Sequence, residues 1–565
     1  MRIALTRRLG VSVFALAVSV IGCTPAWKQM PHDRVFQRTA SPTLHAMPSR
    51  NITTGWWDLA LYAGVLPLAK LVSPATYLKR LVDGPPALDT NAFGLVPDSP
   101  WFENRLGRKE LSAADVSRGA IVHEGLAPGP LTIIAGKTSG VTPGMVIKDS
   151  RGVVWFAKFD PPASLELTTG AEIIASRLLH VAGYHVPEMH IESIAIERLV
   201  LSSDAKTRNK FNQQIGLTQK QLGVLLSQLN PDPKGRLRAL IGRELPGKAL
   251  GPFHYRGVRR DDPNDTIPHE RRRSLRGLWV FNAWLGNHDT SDENTLDTFI
   301  SDGRSLGYVR HYLLDFGDSL GATGARAKHL SEGYEHRVDW AEMGKRTLSF
   351  GLSYPYWLAV RRSPILAVGV FESEIFAPAR WAPLVPNVAF DDATTRDTFW
   401  AASILARFTE AHIKAAVATA EYSDPRASEI IARVLRERQH KLLKYAFGDM
   451  LGVSEPVVED NYKIRLTDLE VSSGLHKELT QYKWSVRWNR TRGRDVQLYR
   501  ENTKTPVLDL REAIKRVLAR DHRGLEQDPF FTIRMHRVGK APGVSIHVRL
   551  VDDYVVVVGI ERDID

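Results

Sequence analysis

Two short motifs, close together in a chain of 565 residues, constrain this sequence more than any other feature. In the first, His288 and Asp289 are followed by four residues and then by Asn294. In the second, an apolar run ends in Asp315-Phe316-Gly317. Each motif alone is common, because Asp often caps a helix end. A carboxylate, an amide and a second carboxylate in this fixed order are much harder to obtain by accident.

The chain between the two motifs predicts a β-hairpin. Asn294–Ile300 is typical of a strand, Ser301–Ser305 contains an Asp-Gly turn signal, and Leu306–Leu314 is typical of the returning strand. Because the strands of a hairpin run antiparallel, we expect Asn294 and Asp315 to lie at the same end. Both side chains would then contact one cation.

These three side chains are the groups that phosphoryl transfer from a nucleotide requires. One carboxylate orients the attacking hydroxyl, while an amide and a second carboxylate hold the metal on the phosphates. The order in the sequence predicts Asp289 as the catalytic base. It predicts Asn294 and Asp315 as ligands of Mg²⁺ or Mn²⁺, with ATP or another nucleotide as the donor.

A glycine-rich segment upstream is a candidate for binding the phosphates of that nucleotide. Gly136, Gly140 and Gly144 let the backbone approach closely, and exposed N–H groups in such a loop bind anions. We therefore predict these three glycines as nucleotide-binding residues. A surface hairpin with no ligand would explain the same pattern.

Lys158 follows in the apolar strand Val153–Phe159, where a lone ammonium is costly unless it contacts an anion. We expect it to bind nucleotide phosphates together with a helix carboxylate. Glu172, in the predicted helix Thr169–Leu179, is the first candidate for that carboxylate, and Glu166 is the alternative. A lysine that snorkels to the surface is the competing explanation.

The order of these motifs resembles the kinase-like superfamily, which includes protein kinases, phosphatidylinositol kinases and HipA-like bacterial kinases. The His288-Asp289 pair lacks the arginine that protein kinases place between these residues. The resemblance implies an α+β, two-lobed protein-kinase-like fold. A nearer resemblance is to a family of bacterial lipoproteins with kinase-like motifs. It covers roughly Pro97 to Leu320 and depends on these segments: Lys137–Gly144, Lys158–Pro162, Gly183–Pro187, Gly251–Phe253, Asp261–Asp265 and Arg276–Asp289.

The N-terminus has the features of an export signal. Arg2, Arg7 and Arg8 precede the apolar run Leu9–Ile21, which is too short to span a bilayer stably. Val20-Ile21-Gly22-Cys23 resembles a bacterial lipobox, which predicts lipidation, including palmitate, at Cys23, the only cysteine of the chain. We therefore predict a lipoprotein that is anchored to a membrane of the bacterial cell envelope, on its periplasmic face or at the cell surface.

Composition adds weaker constraints. The net charge is +12, and removal of the three signal arginines leaves +9, which favours anionic partners only weakly. Arg487, Arg490, Arg492 and Arg494 predict a basic hairpin with tryptophans nearby, but this pattern favours a solvated strand face with core tryptophans over nucleic-acid binding. One cysteine permits no intramolecular disulfide, so packing must stabilise the fold.

The predicted organisation has six parts. They are a signal peptide at 1–22, a tether at 23–50, an N-terminal helical region at 51–124, a small lobe at 125–215, a mainly helical large lobe at 216–452 and a C-terminal α+β module at 455–565. Within these parts we expect helices over Pro268–Leu285, Thr395–Ala420 and Val507–Leu518, another that begins at Pro425, and a helical insertion over Asn209–Leu229.

Three functions are compatible with this sequence. The first is a membrane-anchored phosphotransferase whose acceptor the sequence does not identify. The second is a catalytically silent binding protein on the same scaffold, which export from the cytoplasm favours because ATP is scarce outside it. The third is a nucleotidyl transferase with the same metal site. An intact set of Lys158, Asp289, Asn294 and Asp315 argues for an enzyme.

Overall fold

The computed structural model describes residues 41–50, 65, 68, 84–106, 109–136, 142–208, 213–476, 481–491, 494–540 and 542–564. The predicted signal peptide, Cys23, Gly140 and nearly all of the apolar segment 51–83 lie outside these residues. Among the described residues, no helix has the length and apolar character needed to cross a membrane.

Most of the described strands lie between residues 131 and 327 or between residues 457 and 562, and helices separate some of them in both stretches. In chain order they are β1 (His45–Ala46), β2 (Leu131–Gly136), β3 (Gly144–Lys148), β4 (Val154–Lys158), β5 (Met189–Ala195), β6 (Leu199–Arg208), β7 (Gln214–Gly216), β8 (Arg236–Arg243), β9 (Lys248–Ala249), β10 (Thr295–Ser301), β11 (Leu306–Leu313), β12 (Ala322–Thr323), β13 (Arg326–Ala327), β14 (Val457–Glu459), β15 (Lys463–Arg465), β16 (Tyr482–Asn489), β17 (Val496–Thr503), β18 (Val507–Asp509), β19 (Phe530–Arg537), β20 (Gly543–Val551) and β21 (Tyr554–Arg562).

Within the described residues, the longest helix begins at Pro425, after the hairpin of β10 and β11. In chain order the α-helices are α1 (Ala113–Arg118), α2 (Leu167–Ala182), α3 (Gln219–Ser227), α4 (Arg273–Arg276), α5 (Leu278–Leu285), α6 (Trp340–Leu348), α7 (Val388–Asp391), α8 (Thr395–Leu405), α9 (Glu410–Ala418), α10 (Pro425–Ala446), α11 (Leu469–Ser472) and α12 (Arg511–Gln527). Short 3-10 turns include Pro162–Ser164, His269–Arg271 and Asp292–Asn294.

The protein is α+β, as predicted, and its strands form several separate sheets. A seven-stranded sheet has the order β5-β8-β4-β3-β2-β6-β7, and a four-stranded sheet has the order β1-β11-β10-β9. A five-stranded sheet, β17-β16-β19-β20-β21, belongs to the C-terminal region. Adjacent strands in these sheets pair antiparallel, except β2 and β6, which are parallel.

Buried side chains form three main hydrophobic clusters. One lies on the seven-stranded sheet and contains Trp155 and Ile241. A second joins α2, α5 and the helices α8 to α10. A third fills the C-terminal region between the five-stranded sheet and α12. Each cluster removes a large apolar area from water, which is the dominant stabilising contribution to folding. The domain boundaries given above remain predictions.

Several predicted elements are confirmed. The hairpin of β10 and β11 pairs Thr295 with Leu313 and Ser301 with Gly307. Asp424 caps α10 by accepting a hydrogen bond from the Arg426 backbone N–H, and Pro425 is its first residue. The predicted helix Thr169–Leu179 lies within α2. Gly286 ends α5 in the left-handed conformation with φ of 65°.

Four predicted helices are wrong in extent. The segment Thr395–Ala420 forms two helices, because Thr409 caps α9 with a side chain that accepts from the His412 backbone N–H. The segment Pro268–Leu285 is broken into a 3-10 turn, α4 and α5. Val507–Asp509 pairs with β15 as a strand, so α12 begins only at Arg511. The predicted insertion over 209–229 contains the strand β7 as well as α3.

Candidate active site

The seven-stranded sheet positions the predicted phosphate-binding residues at one end. Gly136 is the last residue of β2, and Gly144 is the first residue of β3. Gly144 pairs directly with Lys158, the last residue of β4. The glycine-rich connection between β2 and β3 therefore ends beside Lys158, whereas Gly136, where it begins, pairs with Met145 of β3. Gly140 lies outside the described residues.

One carboxylate joins the end of β4 to the start of α2. Asp160 accepts hydrogen bonds from the backbone N–H groups of Thr168 and Thr169, at 3.0 and 3.1 Å, and from the Thr169 hydroxyl at 2.5 Å. Side-chain acceptors at a helix N-terminus satisfy N–H groups that have no partner within the helix. Asp160 thus fixes the strand that carries Lys158 relative to the helix that carries Glu172.

Lys158 contacts two carboxylates. Its Nζ lies 2.7 and 2.9 Å from the two oxygens of Glu172 and 2.8 Å from Oδ1 of Asp315. Burial by itself lowers the pKa of the Lys158 ammonium, but the Glu172 and Asp315 carboxylates outweigh it and raise the pKa above its ordinary value. Lys158 is therefore a permanent cation at neutral pH.

Of the two candidate partners, Glu172 and not Glu166 contacts Lys158. Glu166 lies before the first turn of α2, in the left-handed region with φ of 64°. Its carboxylate accepts hydrogen bonds from the Ser423 backbone N–H at 2.9 Å and from the Ser423 hydroxyl at 3.0 Å. Glu166 therefore joins α2 to the loop before α10, and the alternative assignment is wrong.

The hairpin brings the two predicted metal ligands to one end. The Leu314 backbone N–H donates to the Asn294 carbonyl at 2.9 Å. Asp315 directly follows Leu314, so it lies at the same end of the hairpin as Asn294. Asp315 adopts a left-handed backbone with φ of 51°, which turns the chain out of β11. Its side chain is 49% exposed, whereas the side chain of Glu172 is 1% exposed.

The loop that contains Asp289 is held by its neighbours on both sides. The Asn294 amide donates to the Asp289 carbonyl at 3.0 Å, and the His288 backbone N–H donates to the Asp318 carbonyl at 3.2 Å. His288 is fully buried and its Nε2 lies 2.5 Å from the Thr323 hydroxyl. Burial, reinforced by the Lys328 charge, lowers the pKa of His288 to about 4. The neutral imidazole is therefore favoured at pH 7.

Asp318 also belongs to this group of carboxylates, although the sequence motifs described above do not include it. Burial raises the pKa of Asp318 to about 7, and the negative charges of Asp289 and Asp315 contribute to the rise. One of its oxygens accepts a hydrogen bond from the Gly324 backbone N–H. The only sequence signal for it was the extension of Asp-Phe-Gly by a further aspartate.

The donor set is compatible with a hard divalent cation. Among the described residues, no group of three or more His, Cys, Asp or Glu side chains is arranged to hold a metal ion. Asn294 and Asp315 offer oxygen atoms, and Asp289 and Asp318 add negative charge nearby. Mg²⁺ commonly takes one or two protein carboxylates and completes its shell with water and substrate phosphates. This small oxygen-donor set therefore fits Mg²⁺ or Mn²⁺ bound together with a nucleotide.

Comparisons with known proteins add little to this geometry. No protein-family model and no curated protein matches the chain. Among solved structures, the chain is similar to one described as the crystal structure of the Golgi casein kinase, with a TM-score of 0.30 and 10% sequence identity. The matched region covers 74% of this chain and 96% of that chain. A likeness at this level assigns neither a fold nor an activity to the protein.

Proposed function

We propose that this protein is a kinase-like phosphotransferase that uses ATP or another nucleotide with Mg²⁺ or Mn²⁺. One observation carries the proposal: Lys158, at the end of a strand beside a glycine-rich connection, contacts both Glu172 of a buried helix and Asp315 of the Asp-Phe-Gly motif. These residues come from three separate parts of the sequence. A snorkelling surface lysine would not need two carboxylates, one of them almost fully buried.

Each side chain has a role in this proposal that follows from its surroundings. Lys158 would contact the nucleotide phosphates while Glu172 holds its ammonium in place. Asn294 and Asp315 would hold the metal, which supplies positive charge to the phosphates when bound. Asp289 would orient the acceptor hydroxyl and accept its proton, since its carboxylate lies in the loop next to Asn294.

The proposed location is the bacterial cell envelope, with lipidated Cys23 as the membrane anchor. The basic residues, apolar run and lipobox-like sequence at the N-terminus support this location. The same observation supports a second candidate function, a binding protein without turnover, because export separates the protein from cytoplasmic ATP. The two candidates differ in whether Asp289 acts as a general base.

The deciding experiment measures nucleotide binding and phosphate transfer on the same set of purified proteins. The set contains the wild type, Asp289→Asn, Lys158→Met, Asp315→Ala and the control Glu429→Gln, which changes an exposed carboxylate on α10. Calorimetry with ATP and Mg²⁺ or Mn²⁺ reports binding. Mass spectrometry of the protein and of a membrane extract distinguishes added phosphate from an added nucleotidyl group.

We expect Asp289→Asn to bind nucleotide like the wild type while transfer falls by roughly 10²–10⁴-fold, the usual contribution of a positioned general base. Lys158→Met and Asp315→Ala should lose binding as well as transfer, and Glu429→Gln should lose neither. Nucleotide binding without any transfer would favour the binding protein. Wild-type protein that binds no nucleotide with either metal would refute the phosphotransferase and leave only a binding protein for a different ligand.

A further inference from the structure

A cavity with a volume of about 250 Å³ lies where the C-terminal strand β21 meets α8 and the loop of residues 86–95. Phe399 and Trp400 contribute aromatic surface, and Arg273, Arg396 and Arg562 contribute guanidinium groups. None of its lining residues belongs to the site around Lys158.

Arg562 is the most informative residue of this cavity. It is 8% exposed, and its guanidinium lies 4.5 Å from the centre of the Phe399 ring. Its Nη2 donates to the Ser454 carbonyl at 3.3 Å, but its buried Nη1 has no hydrogen-bond partner within the part of the chain that the structure describes. A buried donor on a charged group is costly when it is unpaired, so this nitrogen points to a missing acceptor.

The charged groups around the cavity influence one another, and some of them already make hydrogen bonds within the protein. Burial lowers the pKa of Arg562 to about 10; the Glu455 carboxylate opposes this effect and the Arg396 cation adds to it. Arg396 is exposed at the cavity wall. Arg273 already donates to Asp397 at 2.8 Å and to the Gly94 carbonyl at 2.6 Å. Glu455 accepts from Arg407 at 3.1 Å.

We propose that this cavity binds a small anion that carries a phosphate or carboxylate group, held between Arg562 and Arg396. A guanidinium presents its donors in a planar fork that matches both kinds of oxyanion. The apolar surface of Phe399 and Trp400 lowers the local dielectric, which strengthens such a contact. Because the cavity walls come from α8 and from the last strand, a bound anion would also stabilise the packing of the C-terminal region against the helices.

The test measures binding of inorganic phosphate and of citrate to the full-length protein by calorimetry, at constant ionic strength with chloride as the reference anion. The variants are Arg396→Ala, Arg562→Gln, and the control Arg520→Ala, which removes an exposed arginine of α12. Arg396→Ala changes an exposed side chain, so it tests the site even if Arg562→Gln does not fold. Lys158→Met reports phosphate that binds at the nucleotide site instead.

We expect saturable binding of at least one of the two anions, weakened roughly tenfold or more in Arg396→Ala and Arg562→Gln, because each variant loses a charge-assisted hydrogen bond. Arg520→Ala should bind both anions like the wild type, and in Lys158→Met the binding that Arg396→Ala weakens should remain. The proposal is wrong if neither anion binds, if Arg396→Ala binds as tightly as the wild type, or if Lys158→Met alone abolishes binding. Lys158→Met reports the nucleotide site, whereas Arg396→Ala and Arg562→Gln report the cavity. A failure of the anion proposal can therefore be distinguished from a failure of the phosphotransferase proposal.

Discussion

The ion pair between Lys158 and Glu172 gives the sharpest energetic prediction. Glu172 receives two hydrogen bonds from Lys158, at 2.7 and 2.9 Å, and its side chain is 1% exposed. Replacement of Lys158 by Met removes this cation and leaves the carboxylate inside the protein. Breaking a buried pair by removing one partner costs about 3–5 kcal/mol, because an uncompensated charge stays buried.

Substitution of the other partner, Glu172, should lower the free energy of unfolding by a smaller amount. In Glu172→Gln, Lys158 keeps its contact with Asp315 at 2.8 Å, and the amide can still accept one hydrogen bond from the ammonium. We therefore expect a loss of about 1–3 kcal/mol for Glu172→Gln. The double variant Lys158→Met/Glu172→Gln contains no buried unpaired charge, so its loss should be smaller than the sum of the two single losses by about 1–3 kcal/mol.

Native-state hydrogen exchange of the backbone amides of α2 measures the relevant free energy, because it reports opening of the helix that contains Glu172. The exposed pair Lys463–Asp460, at 2.7 Å with side chains 36% and 61% exposed, provides the control. Lys463→Met should change stability by less than about 1 kcal/mol. A loss below 1 kcal/mol in Lys158→Met, or additive effects in the double variant, would refute the reasoning.

Two further predictions concern Asp318 and Cys23. Because the folded protein raises the pKa of Asp318 to about 7, its contribution to stability is complete below the unfolded value of 3.8 and is lost as the pH rises through 7. Asp318→Asn should remove up to about 4 kcal/mol of this pH dependence in unfolding experiments between pH 4 and 8, and an unchanged pH profile would contradict the shift. Cys23→Ser should release the protein from membranes or leave its signal uncleaved, as fractionation and mass spectrometry can show; membrane retention of a processed variant would count against lipidation at Cys23.

Local signals in the sequence were sufficient for the parts of the site that depend on local structure. The Asp302-Gly303 turn predicted the hairpin, and the hairpin fixed the relation between Asn294 and Asp315. The polar residue in an apolar strand identified Lys158, because a buried ammonium requires an anion. The choice between Glu172 and Glu166 could not be made locally. It depends on which face of α2 meets the sheet and on the distant Ser423, which donates two hydrogen bonds to the Glu166 carboxylate.

The incorrect predictions have separate physical causes. An apolar run is compatible with both a helix and a strand until its partner is known. Val507–Asp509 becomes a strand because it pairs with Lys463–Arg465, more than forty residues earlier in the chain. The predicted helix over Thr395–Ala420 is interrupted because the Thr409 side chain caps a new helix at Glu410. The apolar periodicity of the segment does not show whether this cap or a continuous helix is more stable. Asp318 was missed because its raised pKa comes from burial and from carboxylates on other segments.

The two partners of Lys158 differ in a way that suits the proposed chemistry. Glu172 is almost fully buried and belongs to a helix that Asp160 fixes to the strand of Lys158. Asp315 is half exposed, and an exposed ion pair contributes only about 0–1 kcal/mol. A phosphate group that approaches Lys158 therefore competes with a weak contact, while the strong contact keeps the ammonium in position. Asp315, once released from Lys158, has its carboxylate available for a metal bound beside Asn294, so nucleotide and metal would bind together.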